Sequence, residues 1–476
     1  MNKMDDFSNF NFLLHLQKKE LFEHLKNAES LARINFKECG GEIRSALEGF
    51  IGLVFKKNKV NEKDIPNSLD EQIDYLRDRQ LLPKKLEQSK YKATYVKKSG
   101  GKGMADYYTL LRWMGNVSSH KKTKKYYPKL IFSNLSLCLK CFHVLLTEYY
   151  QDQIRNKKIK KMSFNENRMP VGKYFIDKAY IPKDKERSQC ELEFLGHFYD
   201  SRERKKYAII RQYDKTKVEH NFLLRNYDVF IEASDEDEYG ILKGFARFVT
   251  VAGNDDNASS FYIYAQEFNA VEPKPLNNEL LQKLSLEQRV QLCLKIAECF
   301  SELHNFSTPI YHRLLTHDSI VICESKGKVI PYVSKFDFGK LTLVDRKTLM
   351  ISKMSFDDLI GTISKNAFKA RKAILEDMVL QKYISKEWKL CPEEKTIDWE
   401  KSDDYSLGVL FGCIIVGDVN TKVFPGKELS EMKEDNVIPE SIIKVIGDMA
   451  SDNIKGRCSI DKALSVFQEE LKKWKN

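Results

Sequence analysis

The sequence predicts a multidomain protein in which an all-α helical bundle precedes a two-lobed α+β domain. Three observations lead there. With 476 residues, 42% of them hydrophobic, the chain is long enough for two or three folded domains with ordinary cores. The first third carries apolar residues at helical spacing. Short β-branched and aromatic runs begin only after about residue 170 and give way to long helical patterns from residue 284. Strands followed by helices within one stretch indicate an α+β arrangement.

In GGEIRSALEGFIGLVF, Ile43, Leu47, Phe50, Ile51 and Val54 recur at short helical steps, which predicts one apolar face on a helix begun after Gly40-Gly41. Further helical patterns cover about Phe12–Arg33, Leu69–Arg79, Met104–Ser118 and Leu130–Tyr150, with a polar, Lys-rich loop at Lys97–Gly103. The stretch QDQIRNKKIKKMSFNENRMP, Gln151 to Pro170, is polar and basic with little apolar periodicity and reads as a linker. The expected division is a helical domain over 1–153, a basic linker over 154–169, a smaller lobe over 170–270 and a larger lobe over 271–476. Within the lobes, Lys206–Asp214 and Ser259–Phe268 read as strands and Leu284–His304 as a long amphipathic helix, with Ile322–Val333 a pair of short strands around Gly327.

Charge is distributed unevenly. Residues 1–161 hold 32 Lys and Arg against 18 Asp and Glu, which leaves 47 against 50 for residues 162–476. All of the excess positive charge therefore lies in the first third, which points to a polyanionic partner for residues 1–161, with nucleic acid the foremost expectation. No apolar run is long enough to span a bilayer, and Met1-Asn-Lys-Met-Asp-Asp has no charged-then-apolar leader, so a cytoplasmic protein without a membrane partner is expected. The ten cysteines are scattered. The closest pair, Cys138 and Cys141, is formally half a zinc site, but it lies in an apolar helical pattern with no second pair downstream and reads as buried helix cysteines.

The order of motifs after residue 170 resembles a eukaryotic-type protein kinase. The helix ending in Leu303-His304, then IYHRLLTHDSIVI, then KFDFGKL, are similar to that family's E-helix, catalytic loop and DFG segment. Further on, CPE (Cys391 to Glu393), DDYSLGVLFG (Asp403 to Gly412) and GRCSIDKAL (Gly456 to Leu464) resemble the APE triplet, the start of the F-helix and the arginine that pairs with the APE glutamate. The resemblance implies a two-lobed kinase-like fold, with ATP and Mg2+ as cofactors of any active member.

The same resemblance assigns the site. Asp337 matches the metal-binding aspartate, His312 and Arg313 the start of the catalytic loop, Arg211 the phosphate-contacting lysine of a VAIK-like strand (AIIRQ), and Glu219 its helix partner. Leu314 stands at the catalytic base and accepts no proton, while Ser319 replaces the second metal ligand with a poorer hydroxyl. Asp318 is the candidate for a displaced carboxylate. Between Met169 and Ile210 only Gly172 and Gly196 occur, so the clustered glycines that approach a triphosphate are missing.

The opening SNFNFLLHLQKKELFEHL, Arg44 with Glu48, and LLRWMGNVSSHKK resemble the small helical domain at the front of type I restriction motor subunits (HsdR-like) and other prokaryotic defence proteins, near the HEPN group. Arg112, Asn116 and His120 fall at i, i+4 and i+8, about 40° apart per step on one helix face. HEPN ribonucleases usually carry arginine just before the polar residue of this motif, and here Gly115 stands there.

These resemblances imply a prokaryotic anti-phage defence or signalling protein, a pseudokinase-type sensor or regulatory scaffold with a basic helical module, protein partners and a homodimer seam in that module. The alternatives are an active atypical Ser/Thr kinase using Asp337, Arg211 and Asp318, and a HEPN-type ribonuclease controlled by the kinase-like part.

Overall fold

The computed structural model describes residues 8–82, 132–159, 163–166, 169–179, 192–214, 247–252, 261–268, 271–305, 309–325, 328–335, 340–341, 375–390, 398–435 and 437–475. The chain is a mixed α+β protein with antiparallel sheets. Strands β1 (Phe175–Ala179), β2 (Leu192–Tyr199), β3 (Lys205–Asp214), β4 (Arg247–Ala252) and β5 (Phe261–Phe268) form one sheet in the order β1-β2-β3-β5-β4. The chain divides into two compact units, one of Met1–Ala179, Phe194–Lys205 and Val251–Ile263, the other of Tyr180–Glu193, Lys206–Thr250 and Tyr264–Asn476.

The first unit is built on helices α1 (Phe12–His15), α2 (Lys19–Leu31), α3 (Phe36–Lys57), α4 (Leu69–Asp78), α5 (Phe132–Tyr149) and α6 (Gln151–Asn156). Ile43, Leu47, Phe50, Ile51 and Val54 of α3 are all fully buried, facing Phe22, Leu25 and Ala28 of α2 in a common core with Leu139 and Phe142 of α5. Helix α3 begins earlier than expected. Asn35 caps it by accepting the Glu38 amide at 3.1 Å, and Phe36 and Cys39 extend the apolar face one turn back, so Gly40-Gly41 lie inside the helix. Arg44 and Glu48 pair at 2.8 Å on its partly exposed side.

The stretch 154–169, expected to be a basic linker, is packed where it is described. Ile154 and Met169 are buried in the helical core, and Ile159 and Phe164 pack against it, because apolar residues are interleaved with the basic run. Asn9 clasps the backbone of Asn165, accepting its amide at 2.8 Å and donating to its carbonyl at 3.1 Å. The same Asn9 amide donates to the buried Glu29 at 2.6 Å. Cys138 and Cys141 lie buried on α5, and burial pushes the Cys141 thiol up to about 12, as apolar packing of an un-ionised thiol requires. The expected helix at 104–118 and the loop at 97–103 lie outside the described residues.

The second unit contains α7 (Asn278–Lys283), α8 (Leu286–His304), α9 (Lys386–Leu390), α10 (Trp399–Val416), α11 (Gly426–Glu434), α12 (Glu440–Met449) and α13 (Ile460–Lys475). Helix α10 is buried along nearly its whole length and from Leu407 to Val416 carries no polar side chain, as a helix segment packed on every face must. It packs on α8, α11 and α12, and Gly408 is where α12 comes closest: a methyl group there would meet Met449 Cβ at 2.6 Å. Helix α8 starts at a capping box in which Ser285 and Gln288 satisfy each other's backbone amides. Strands β8 (Ile320–Ser325) and β9 (Lys328–Val333) pair antiparallel from Ile320↔Val333 to Ser325↔Lys328, the hairpin-like pair expected around Gly327. Short strands β6 (Lys274–Pro275) on β8, and β7 (Ile310–Tyr311) with β10 (Lys340–Leu341), complete the described sheets. Among the described residues no helix is long and apolar enough to cross a membrane.

Candidate functional site

The loop between β7 and β8 is held from beneath by the N-terminal part of α10. The Asp403 carboxylate accepts the backbone amides of His312 at 2.7 Å and Arg313 at 2.9 Å, one on each oxygen. Arg313 has φ of 71°, a left-handed conformation that a long side chain adopts at a cost, and the paired amides fix it there. Its guanidinium is buried and lies 4.0 Å from the ring centre of Trp399, the first residue of α10. His304, at the end of α8, brings Nε2 to 3.6 Å from the same Asp403 carboxylate. Burial works against its charged form, but Asp403, with Asp404 and Glu400, together outweigh that and hold the imidazole pKa above its ordinary value.

The rest of the loop is self-braced. Thr316 and Ser319 close a 3-10 turn over His317–Ser319, in which the Ser319 hydroxyl accepts the Thr316 amide at 3.3 Å. Leu314 is buried at 8% exposure, directly after the strained Arg313. Asp318 keeps a third of its side chain exposed, with its carboxylate 3.5 Å from His317 Nε2. From the other side the loop is tied to the residue that follows β9: His312 Nε2 donates to the Ser334 carbonyl at 2.9 Å, and the Ser334 amide donates to the Ser319 carbonyl at 2.8 Å.

Arg211 reaches the same residue. On β3, with only 2% exposed, it donates through Nε to Glu193 of β2 at 2.8 Å and through a terminal nitrogen to the Ser334 hydroxyl at 2.6 Å. The partner expected from sequence, Glu219, lies outside the described residues; among the described residues Arg211 pairs with Glu193. An acidic residue inside the strand pattern ELEFLGHFY was the available signal, since a carboxylate buried in a sheet needs a cationic partner. His312, Arg313, Asp318, Ser319 and Arg211 thus belong to one neighbourhood centred on Ser334 and Asp403. Asp337, Arg112, Asn116 and His120 lie outside the described residues, as does the segment Cys391–Glu393. Among the described residues no group of three or more His, Cys, Asp or Glu side chains is arranged for a metal ion.

Two acidic groups near the loop have opposite electrostatics. Arg457 was expected to pair with Glu393; its guanidinium is instead engaged bidentately by Glu387, at 2.7 and 3.3 Å. Asp404, beside Asp403, accepts the Ile460 amide at 3.0 Å, and burial pushes its carboxyl up to about 6 against the pull of His304 and Lys401. The folded state therefore binds this proton more tightly than the unfolded chain. The contribution is full below the ordinary aspartate value and is lost as pH rises to about 6, a slope amounting to about 3 kcal/mol. We expect Asp404→Asn to flatten the decline in unfolding free energy between about pH 4 and pH 6. A variant with the wild-type slope in a pH series of urea melts would refute this origin.

No family model matches the sequence, and a search of curated proteins finds no match.

Proposed function

We propose that the chain is a kinase-fold regulatory or sensor protein, a pseudokinase-type module over about residues 170–476 joined to a basic helical module that engages nucleic acid or a partner protein. The observation that carries the proposal is the loop at 312–319. Its backbone is held by Asp403 and Ser334 as tightly as a catalytic loop requires, yet the residue after Arg313 is the buried, aliphatic Leu314. Phosphoryl transfer asks the protein mainly for positioning and charge stabilisation, together with a group to accept the hydroxyl proton. Positioning is present here, and at the residue where the kinase resemblance expects that group there is none.

Two of the residues that the resemblance assigns to a nucleotide are already engaged within the protein. Arg211, the candidate for the phosphate contact, is buried and already bonded to Glu193 and Ser334, and the Ser319 hydroxyl accepts the amide of Thr316. On this reading the loop and its supports are a scaffold whose surface is read by partners, and the defence setting implied by the N-terminal resemblance supplies its context. One observation favours the second reading, an atypical Ser/Thr kinase: Asp318 is partly exposed at the same loop.

Incubation of the full chain with γ-labelled ATP and Mg2+ separates the two. We expect no label on the protein or on an added protein substrate. Labelling that disappears in both Asp337→Ala and Asp318→Asn would replace the scaffold reading with the kinase one.

A further inference from the structure

Three neighbouring strands, β2, β3 and β5, each contribute one buried polar side chain to a single chain of hydrogen bonds: Glu193, Arg211 and Gln266. Arg211 donates to Glu193 on one side and to the Ser334 hydroxyl at 2.6 Å on the other. That hydroxyl has one proton, and it goes to Gln266 Oε1 at 2.9 Å. The carboxamide orientation is then fixed, and Gln266 Nε2 donates to the Val333 carbonyl at 3.1 Å. Every link has a defined direction, starting from the guanidinium. The backbone of Ser334 is used as well, its amide on Ser319 and its carbonyl on His312. One fully buried serine thus joins the sheet to the 312–319 loop through four residues.

A buried carboxylate and guanidinium on adjacent strands need only each other for charge balance. Extending the guanidinium to a serine outside the sheet does something more. We propose that Arg211 is a positioning residue in an internal clamp: anchored by Glu193, it holds Ser334 and through it sets the end of β9 and the imidazole of His312, with no ligand required. The chain beyond Lys335 therefore leaves from a fixed point. Releasing Ser334 is the local step by which the 312–319 loop and the end of β9 become mobile together. The inference rests on these contacts and not on the kinase-type reading, so it stands or falls independently of phosphate transfer.

The test is hydrogen exchange, residue by residue, in wild type, Arg211→Met and Ser334→Ala, with the Leu410 amide in the middle of α10 as the internal reference. A hydrogen bond to a charged group contributes enough that its loss should raise exchange at Ser334 and His312 by about tenfold or more relative to Leu410. Ser334→Ala leaves the Glu193–Arg211 pair intact and removes only the link, so it decides the matter even if Arg211→Met fails to fold. A selective rise at both amides in Ser334→Ala supports the clamp. Unchanged ratios to Leu410 in that variant would reduce Arg211 and Glu193 to an ion pair within the sheet and overturn it.

Discussion

Asp403→Ala is expected to lower the unfolding free energy of the second unit by about 3–5 kcal/mol, read from urea denaturation. Each buried amide left without an acceptor costs about 1–3 kcal/mol, and the substitution strands two, those of His312 and Arg313. It also removes what holds Arg313 at φ of 71°, and the carboxylate facing His304. Asp403→Asn retains one acceptor oxygen and should recover roughly half of the loss. A loss in the alanine variant under about 1 kcal/mol would mean that water or a rearranged loop takes over the acceptor role.

Arg457→Met should cost a similar amount, about 3–5 kcal/mol, because truncating one member of a buried ion pair leaves the other uncompensated. The guanidinium is fully enclosed: besides Glu387 it donates to the carbonyls of Ser451, at 2.8 and 3.0 Å, and Lys401, at 2.6 Å. Burial alone would raise the Glu387 pKa, yet the hydrogen bond and charge of Arg457, with hydrogen bonds from the Glu387 amide and Ser385, together outweigh it and hold the carboxyl below its ordinary value. Its stabilisation is therefore present above the unfolded pKa and is lost as pH falls through the folded one. In Arg457→Met the largest opposition to burial is removed, so the Glu387 pKa should rise relative to wild type. Arg457→Lys keeps the charge and loses the planar fork, and should fall between the two. An unfolding midpoint within error of wild type in Arg457→Met would contradict the assignment.

Local pattern made the helices legible. The three- and four-residue spacing in α3 identified the buried face correctly, but its start was misjudged because Gly40-Gly41 was read as a boundary, whereas Asn35 supplies the cap and packing of Phe36 and Cys39 offsets the glycines' cost. The basic stretch after Gln151 looked unstructured because charge hides four apolar residues, Ile154, Ile159, Phe164 and Met169, whose five-residue spacing keeps no helix face. In the site, the loop at His312 and the place of Asp403 in α10 were readable as a motif order. The partners were not: Glu193 lies 18 residues from Arg211, Ser334 lies 123 away and Glu387 lies 70 from Arg457. Such pairings are set by which strands and helices become neighbours, and spacing along the chain carries no record of that. Motif expectation supplied Glu219 and Glu393, and both lie outside the described residues.

The most direct measurement is amide exchange at His312 and Arg313 in the wild-type protein. If Asp403 anchors a rigid loop that lacks a base, both amides exchange as slowly as Leu410 in the core of α10, only when the unit opens as a whole. Exchange at the rate of an exposed turn, with Leu410 still protected, would show that the loop is not held and would remove the basis for a preserved catalytic-loop scaffold.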